Sequence, residues 1–407
     1  MHASLSGALR LLIGTWVCFA SNSAIAQQSS KQFDKVQPET SSAVATAVAG
    51  VQLYVGVEGG YDSNLDNRVI RTGSAYEMLQ AGLNGNFKVT EQESYSLSLR
   101  ARNYWYNDLN LSDRYDVDAA VGARYDFSNE TSLKVGTSWV RDAITVYRTD
   151  IFKSYADLVH ETVETRLRLK FDSRTELSFA DQKPGTLDPD VFSVTRNKAF
   201  DFTKNGGTAS LLIFRKQFLA PFIIGNATNI DYFNQDPNPA IDRNANEYWG
   251  VAGVRVTLSP SLYVDAGARA NRRDFDDLLF RHFSSSSFDA RMNWKVSNDL
   301  TLNAVFERVI REPTTSFGLA DDVKTYEVRL DYKSGPWTLY AKAFLDEMRP
   351  IGDNFNFKKY NWGLGVINAL NQSTDIYADY SGKYAKDSIS GDSYTRNSAG
   401  AGIKIKF

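Results

Sequence analysis

Cysteine is almost missing: of 407 residues only Cys18 is one, and it lies in an apolar run near the N-terminus. Downstream of it no thiol nucleophile, thiolate metal site or disulfide framework can be built. Histidine is nearly as scarce, with His2, His160 and His282 the whole set. The sequence has no H-E-x-x-H and no Cys/His metal spacing. The chain is therefore read as a non-enzyme without a cofactor. A charge of one sign is also missing. The 46 basic and 48 acidic residues leave a net charge of −2, no field for nucleic acid. Long hydrophobic runs are confined to one N-terminal stretch, and mean hydropathy is −0.36, which excludes a bundle of membrane helices. A membrane β-barrel escapes that exclusion, because alternating strands average out as polar.

Aromatic residues are plentiful at 13% of the chain, which excludes disorder. At the N-terminus, Arg10 precedes the apolar run Leu11 to Ala20 and the small-residue end Ala24-Ile25-Ala26. This order predicts a signal peptide over residues 1–26, cut before Gln27. Residues 27–50 are rich in Gln, Ser, Ala and Thr and read as a flexible periplasmic tail.

From residue 51 to 407 the sequence alternates with a period of two, the mark of strands with one apolar face. Val117, Ala119, Val121, Ala123, Tyr125 and Phe127 alternate with polar or small neighbours, as do Leu167, Leu169 and Phe171. Tight turns are expected at Thr90–Glu93, Ser128–Glu130, Asp172–Arg174, Arg215–Gln217, Ser259-Pro260, Ser297–Asp299, Ser334–Pro336 and Asn371-Gln372. Longer polar loops are expected over 63–74, 107–114, 143–156, 182–197, 234–245, 274–282, 312–322, 349–357 and 386–393. Short turns on one rim and long loops on the other predict an all-β, transmembrane, antiparallel up-and-down β-barrel of about eighteen strands. Phe87, Phe127, Phe171, Phe218, Trp294, Tyr332, Trp337 and Phe407 flank the short turns, as an interfacial girdle would.

If apolar faces meet lipid, the alternate residues line a lumen. Arg100, Arg102, Tyr104 and Tyr106 share one such face. Arg124, Arg166, Arg168, Arg269, Arg273, Arg291 and Arg329 fall on others, and His160 is read as inward too. By this reading the wall carries an excess of about nine positive charges, which favours an anionic solute or polymer. Tyrosine rings and arginine forks together suit a saccharide track, although cross-strand ion pairs and lumen filling use the same residues. Asp62–Asp66 and Asp242–Asn246 alternate oxygen ligands but lack the Gly and Glu of a calcium loop.

The first strand ends Tyr61-Asp62-Ser63-Asn64. That ending, after a signal and tail, resembles the outer-membrane beta-barrel porin type 2 family, in layout over residues 51–407. The final amphipathic strand ends on Phe407, which resembles the signal read by the barrel assembly machinery of the bacterial outer membrane. The family resemblance implies an outer-membrane conduit for a secreted exopolysaccharide, and the barrel is expected to be a monomer. It implies as partners the polysaccharide, a periplasmic polysaccharide-export protein and an inner-membrane synthesis complex, while the apolar faces call for outer-membrane lipid. The rival is a diffusion porin for small anionic solutes, usually a trimer with an inward loop, for which 182–197 is the best candidate. A structural or adhesive surface barrel is the third reading.

Overall fold

The computed structural model describes residues 50–63, 73–107, 114–144, 147–180, 201–233, 242–277, 282–312, 319–351, 356–387 and 393–407. The expected signal peptide, the tail up to residue 49 and the loop 182–197 lie outside the described residues.

Eighteen strands form one sheet. The first nine are β1 (Val51–Asp62), β2 (Ser74–Lys88), β3 (Glu93–Tyr106), β4 (Arg114–Asp126), β5 (Thr131–Ile144), β6 (Tyr147–Glu161), β7 (Thr165–Ala180), β8 (Phe202–Ile213) and β9 (Leu219–Tyr232). The second nine are β10 (Ala245–Ser259), β11 (Leu262–Phe275), β12 (His282–Lys295), β13 (Leu300–Arg311), β14 (Ala320–Ser334), β15 (Trp337–Ile351), β16 (Phe357–Ala369), β17 (Thr374–Asp387) and β18 (Ser393–Lys406). Each strand pairs antiparallel with its neighbours in sequence. β1 pairs with β2 on one edge and with β18 on the other, so the sheet closes on itself. The fold is the expected closed barrel, and closure leaves no edge at the joint to seek a partner.

Small hydroxyl and amide side chains make the short turns. Thr90 Oγ1 accepts from the amides of Gln92 and Glu93, and Ser128 Oγ from those of Glu130 and Thr131. Ser297 Oγ does the same for Asp299 and Leu300. Such side chains replace ladder partners where the chain reverses. At β14–β15 the reversal uses Gly335 at φ 54°, a conformation that favours glycine.

Two expected boundaries are corrected. Asp172–Arg174 is the middle of β7 rather than a turn; the turn is at 162–164, where Thr162 Oγ1 accepts from the Glu164 and Thr165 amides. The expected loop 143–156 is mostly β6. Both misreadings share one cause: Ser154, Ser173 and Asn205 lie side by side on the outer face there, while Asp172 and Arg174 face inward. A strand polar on both faces mimics a loop. With the turn moved, Phe171 sits inside β7, away from a reversal, although it remains outward and exposed.

The outer surface is an apolar belt. Val55, Val57, Leu99, Val121, Leu167, Phe171, Ile223, Phe288, Val328, Leu364, Ile403 and Ile405 all stand exposed on it. A soluble monomer does not show an apolar surface on every side; a barrel in lipid must. No described helix is long and apolar enough to cross a membrane.

Candidate functional site

Strand register fixes which residues share the inner face, because directly paired residues point the same way. All eleven expected path residues lie on it. Arg100 pairs with Asp118, Nε to Oδ2 at 2.6 Å. Arg102, its neighbour on that face, is buried with Asp116 at 3.3 Å and Asp118 at 3.8 Å. Tyr104 and Tyr106 are buried as well. They pack with Tyr76 and Met78 in one cluster, and Tyr76 donates to Glu58 at 2.8 Å. This end of the track is filled wall rather than open surface.

Arg124 is solvated and holds Asp126 at 2.8 Å; Arg329 holds Asp331 at 2.7 Å. Neither borders the groove that gathers the remaining arginines. Arg273 is fully buried, tied to Glu247 through Nε at 3.0 Å and to Glu312 at 3.3 Å. It is not free to meet a passing solute. His160 is corrected to the outer face: it stands opposite Thr131 and Leu167, with Nδ1 2.8 Å from Thr131 Oγ1. Phe407 exposes its ring on the outer face while its amide donates to the Leu53 carbonyl at 2.9 Å.

The remaining four, Arg166, Arg168, Arg269 and Arg291, come together. With Lys170 and Arg255 they border one groove of about 340 Å³ in the lumen wall. One bank is β7, which places Arg166, Arg168 and Lys170 at every second position. The far bank, from β10 to β12, supplies Arg255, Arg269 and Arg291 with Asp265 and Asp289. Between them lies an apolar floor of Leu212, Phe222, Ile224 and Val251, with Trp249 at its edge. Trp249 carries the Arg269 guanidinium 4.3 Å above its ring.

The groove's cations are held, not loose. Arg168 bonds Asp157 through Nε at 2.7 Å and Nη2 at 2.8 Å, and Arg255 bonds Asp265 in the same way at 2.6 and 2.8 Å. Arg166 meets Glu161 at 3.3 Å, Arg269 meets Asp289 at 2.8 Å, and Arg291 meets Glu307 at 3.1 Å. A guanidinium has five donors, so two spent on a carboxylate leave donors for an anion that passes. Paired arginines are also stiff, which lowers the cost of binding.

Sequence reasoning missed the floor, although its signal was present: from Thr203 to Ile230 apolar residues occur on both faces, and the inner set is the floor. It also missed inward acids. Glu58, Asp62, Asp157, Asp172, Glu247, Glu307 and Asp346 all face the lumen, and so do the missed bases Lys153, Arg174, Lys204, Lys359 and Arg396, so the sequence tally left out wall charges of both signs. Among the described residues no group of His, Cys, Asp or Glu is arranged to hold a metal ion.

A family model described as "Putative beta-barrel porin 2" matches residues 51–407. The chain belongs to the beta-barrel porin 2 family. Membership of that porin family, with the closed barrel and its apolar belt, places it in the bacterial outer membrane as a transport barrel. No curated protein matches the sequence. Solved structures with similarity include the FrpB iron transporter of Neisseria meningitidis, at 9% identity and a TM-score of 0.49 over 88% of this chain and 82% of that one. The siderophore receptor PirA of Pseudomonas aeruginosa shares 10% identity, at a TM-score of 0.42 over 89% of this chain and 81% of its own. At such scores these likenesses carry no argument about what this porin transports.

Proposed function

We propose that the barrel is an outer-membrane conduit for a secreted, anionic exopolysaccharide, acting as a monomer within a polysaccharide synthesis and secretion system. The observation that carries this reading is the groove: two cationic banks along an apolar floor, on the inner wall of a barrel wide enough to hold water. A sugar chain offers apolar ring faces and, when acidic, carboxylates. The floor and Trp249 suit the first, and the arginine rows the second. Many weak contacts spaced two residues apart let a polymer advance by exchanging one for the next, where a single tight site would hold it. The lumen residues Arg100, Arg102, Tyr104 and Tyr106 belong to the rigid wall in this scheme, and Arg166, Arg168, Arg269 and Arg291 to the moving contact.

Partners follow from the same scheme. A periplasmic polysaccharide-export protein would deliver the chain, an inner-membrane complex would make it, and the assembly machinery would insert the barrel through its Phe407 strand. The test is an in-frame deletion with complementation, assaying polysaccharide in the medium and in the periplasm. Loss outside with accumulation inside is expected; normal secretion would refute the reading.

One observation favours a second reading, a diffusion porin for small anionic solutes. The end of the β13–β14 hairpin folds into the lumen, as a porin constriction does. A trimer in mild detergent with anion-selective conductance would support it.

A further inference from the structure

The barrel wall has a seam. β12 pairs with β13 only from Ala290↔Phe306 to Lys295↔Thr301. Yet β12 stays paired with β11 up to His282, and β13 stays paired with β14 up to Arg311↔Asp321. Above Phe306, therefore, β13 leaves β12 and takes β14 with it.

The hairpin end moves inward. Asn271, on the inner face of β11, donates from Nδ2 to the Arg308 carbonyl at 3.0 Å, reaching past β12. Ile310, Leu319 and Ala320 pack in one buried cluster with Ala245 and Phe275, both inner-face residues of β10 and β11. Beyond β13, Glu312 lies deep in the lumen. Its carboxylate accepts from Lys204 Nζ at 3.0 Å, from the Tyr232 hydroxyl at 2.7 Å and from Arg273 at 3.3 Å. These three stand on β8, β9 and β11. On the other side Arg311 holds Asp346 of β15 at 3.0 Å.

Side chains do the work of the missing ladder. Arg308 Nη1 donates to the Ser286 carbonyl at 3.2 Å, and Asn271 caps the Arg308 carbonyl. A backbone ladder joins two strands by many bonds that break together; these sutures are few and separately reversible. Ser284, Ser285, Ser286 and Ser287 on β12 bring little side-chain bulk to the seam.

We propose that the β13–β14 end is a movable constriction that sets the size of what passes, with the seam as its hinge and Glu312 as its latch. The chemistry of the latch argues for a docked and an undocked state. A carboxylate this deep is tolerated only while its cations face it. Both Lys204 and Arg273 also have Glu247 as a partner, at 3.8 and 3.0 Å, so they share that one carboxylate when Glu312 withdraws. Undocking therefore leaves one net positive charge, which the water that takes the hairpin's place solvates, and Glu312 itself goes to water. This inference holds for a polymer conduit and for a diffusion porin alike, because it concerns bore and not cargo.

The experiment uses the natural scarcity of cysteine, since Cys18 lies in the expected signal peptide. Single-channel conductance in planar bilayers, and exclusion of neutral polyethylene glycols of graded size, are measured on the full barrel. Glu312→Ala is expected to raise conductance and shift the exclusion limit to larger polymers. A second variant adds Asn271→Cys and Arg308→Cys, bridged by oxidation or a short bismaleimide. The bridge is expected to return both readings to the wild-type values, and reduction of the disulfide to release them again. A correctly folded Glu312→Ala barrel with unchanged conductance and exclusion limit would overturn the proposal, as would an increase that the bridge leaves intact. Should Glu312→Ala fail to fold, the bridge in the wild-type background decides. It must abolish wide conductance states, and their persistence would overturn the proposal.

Discussion

Replacing Arg166, Arg168 and Lys170 together by Gln removes one bank of the groove and frees its acids. Asp157 loses Arg168 at 2.7 Å, Asp172 loses Lys170 at 2.5 Å, and Glu161 loses Arg166 at 3.3 Å. Positions two apart on a strand repeat about every 7 Å, so an anion beside the row meets each charge at roughly that distance. One unit charge at 7 Å in water is worth about 0.6 kcal/mol, and three about 1.8 kcal/mol. Screening at 0.1 M salt, with a Debye length near 10 Å, cuts this by about half, to about 0.9 kcal/mol. Anion partition into the groove then falls about fourfold, and cation partition rises by a similar factor. Reversal potentials under a salt gradient in planar bilayers read the anion-to-cation permeability ratio directly. Lys358→Gln is the control, since Lys358 stands on the outer face with Glu347 at 2.7 Å. An unchanged ratio in an intact triple-variant barrel would refute the claim that this bank faces the permeating ion.

Other outcomes follow from the same geometry. Val57→Arg puts a charge on the apolar belt and is expected to cost about 2–4 kcal/mol if the site lies near the bilayer centre, measured by urea unfolding in vesicles. Asp62→Ala leaves Arg396 without its clamp across β1 and β18, Nε to Oδ2 at 2.8 Å. A loss of about 2 kcal/mol is expected, seen as a lower temperature for the heat-dependent shift of the barrel on gels. Burial alone would raise the Glu312 carboxyl, but Arg273, Lys204 and the Tyr232 hydroxyl outweigh it and hold it down to about 2, from 4.5. A depressed carboxylate stabilises fully above its ordinary value and loses that contribution as pH falls through the folded one. With Glu247, Arg174 and Arg243 also near this knot, conductance should stay flat from neutral pH to about pH 5 and rise only toward about pH 2. A rise at pH 5 would show that another group controls the latch.

How much of this was legible beforehand depends on whether one face of a strand could be told from the other. Where the faces contrast, as along Val117 to Phe127 or Leu167 to Phe171, sequence alternation and structure agree residue by residue. Where they do not contrast, the reading failed in both directions. Around Asp172-Ser173-Arg174 both faces are polar and the strand passed for a turn. Around Phe222 and Ile224 both faces are apolar, which hid a groove floor inside a lumen expected to be polar. The arginines of the groove were named from alternation alone. Their convergence was not, since β7 meets β10 to β12 only around the curve of the wall. The seam at Phe306 was not read, although Arg308 and Val309 interrupt the alternation of β13 there; the ladder shows that β13 has lost β12 and kept β14.

The joint that closes the ring runs from Tyr54↔Lys406 to Asp62↔Ser398, so the first strand waits for the last. Contacts this distant along a chain form slowly. Until β18 is made, every shorter version of the chain carries two open edges, each a template for a wrong partner. The wall is thus finished only once β18 exists, and a copy cut short before it identifies itself by the edge it cannot hide. A factor that binds only unpaired strands would sort complete molecules from incomplete ones without reading any other part of the sequence.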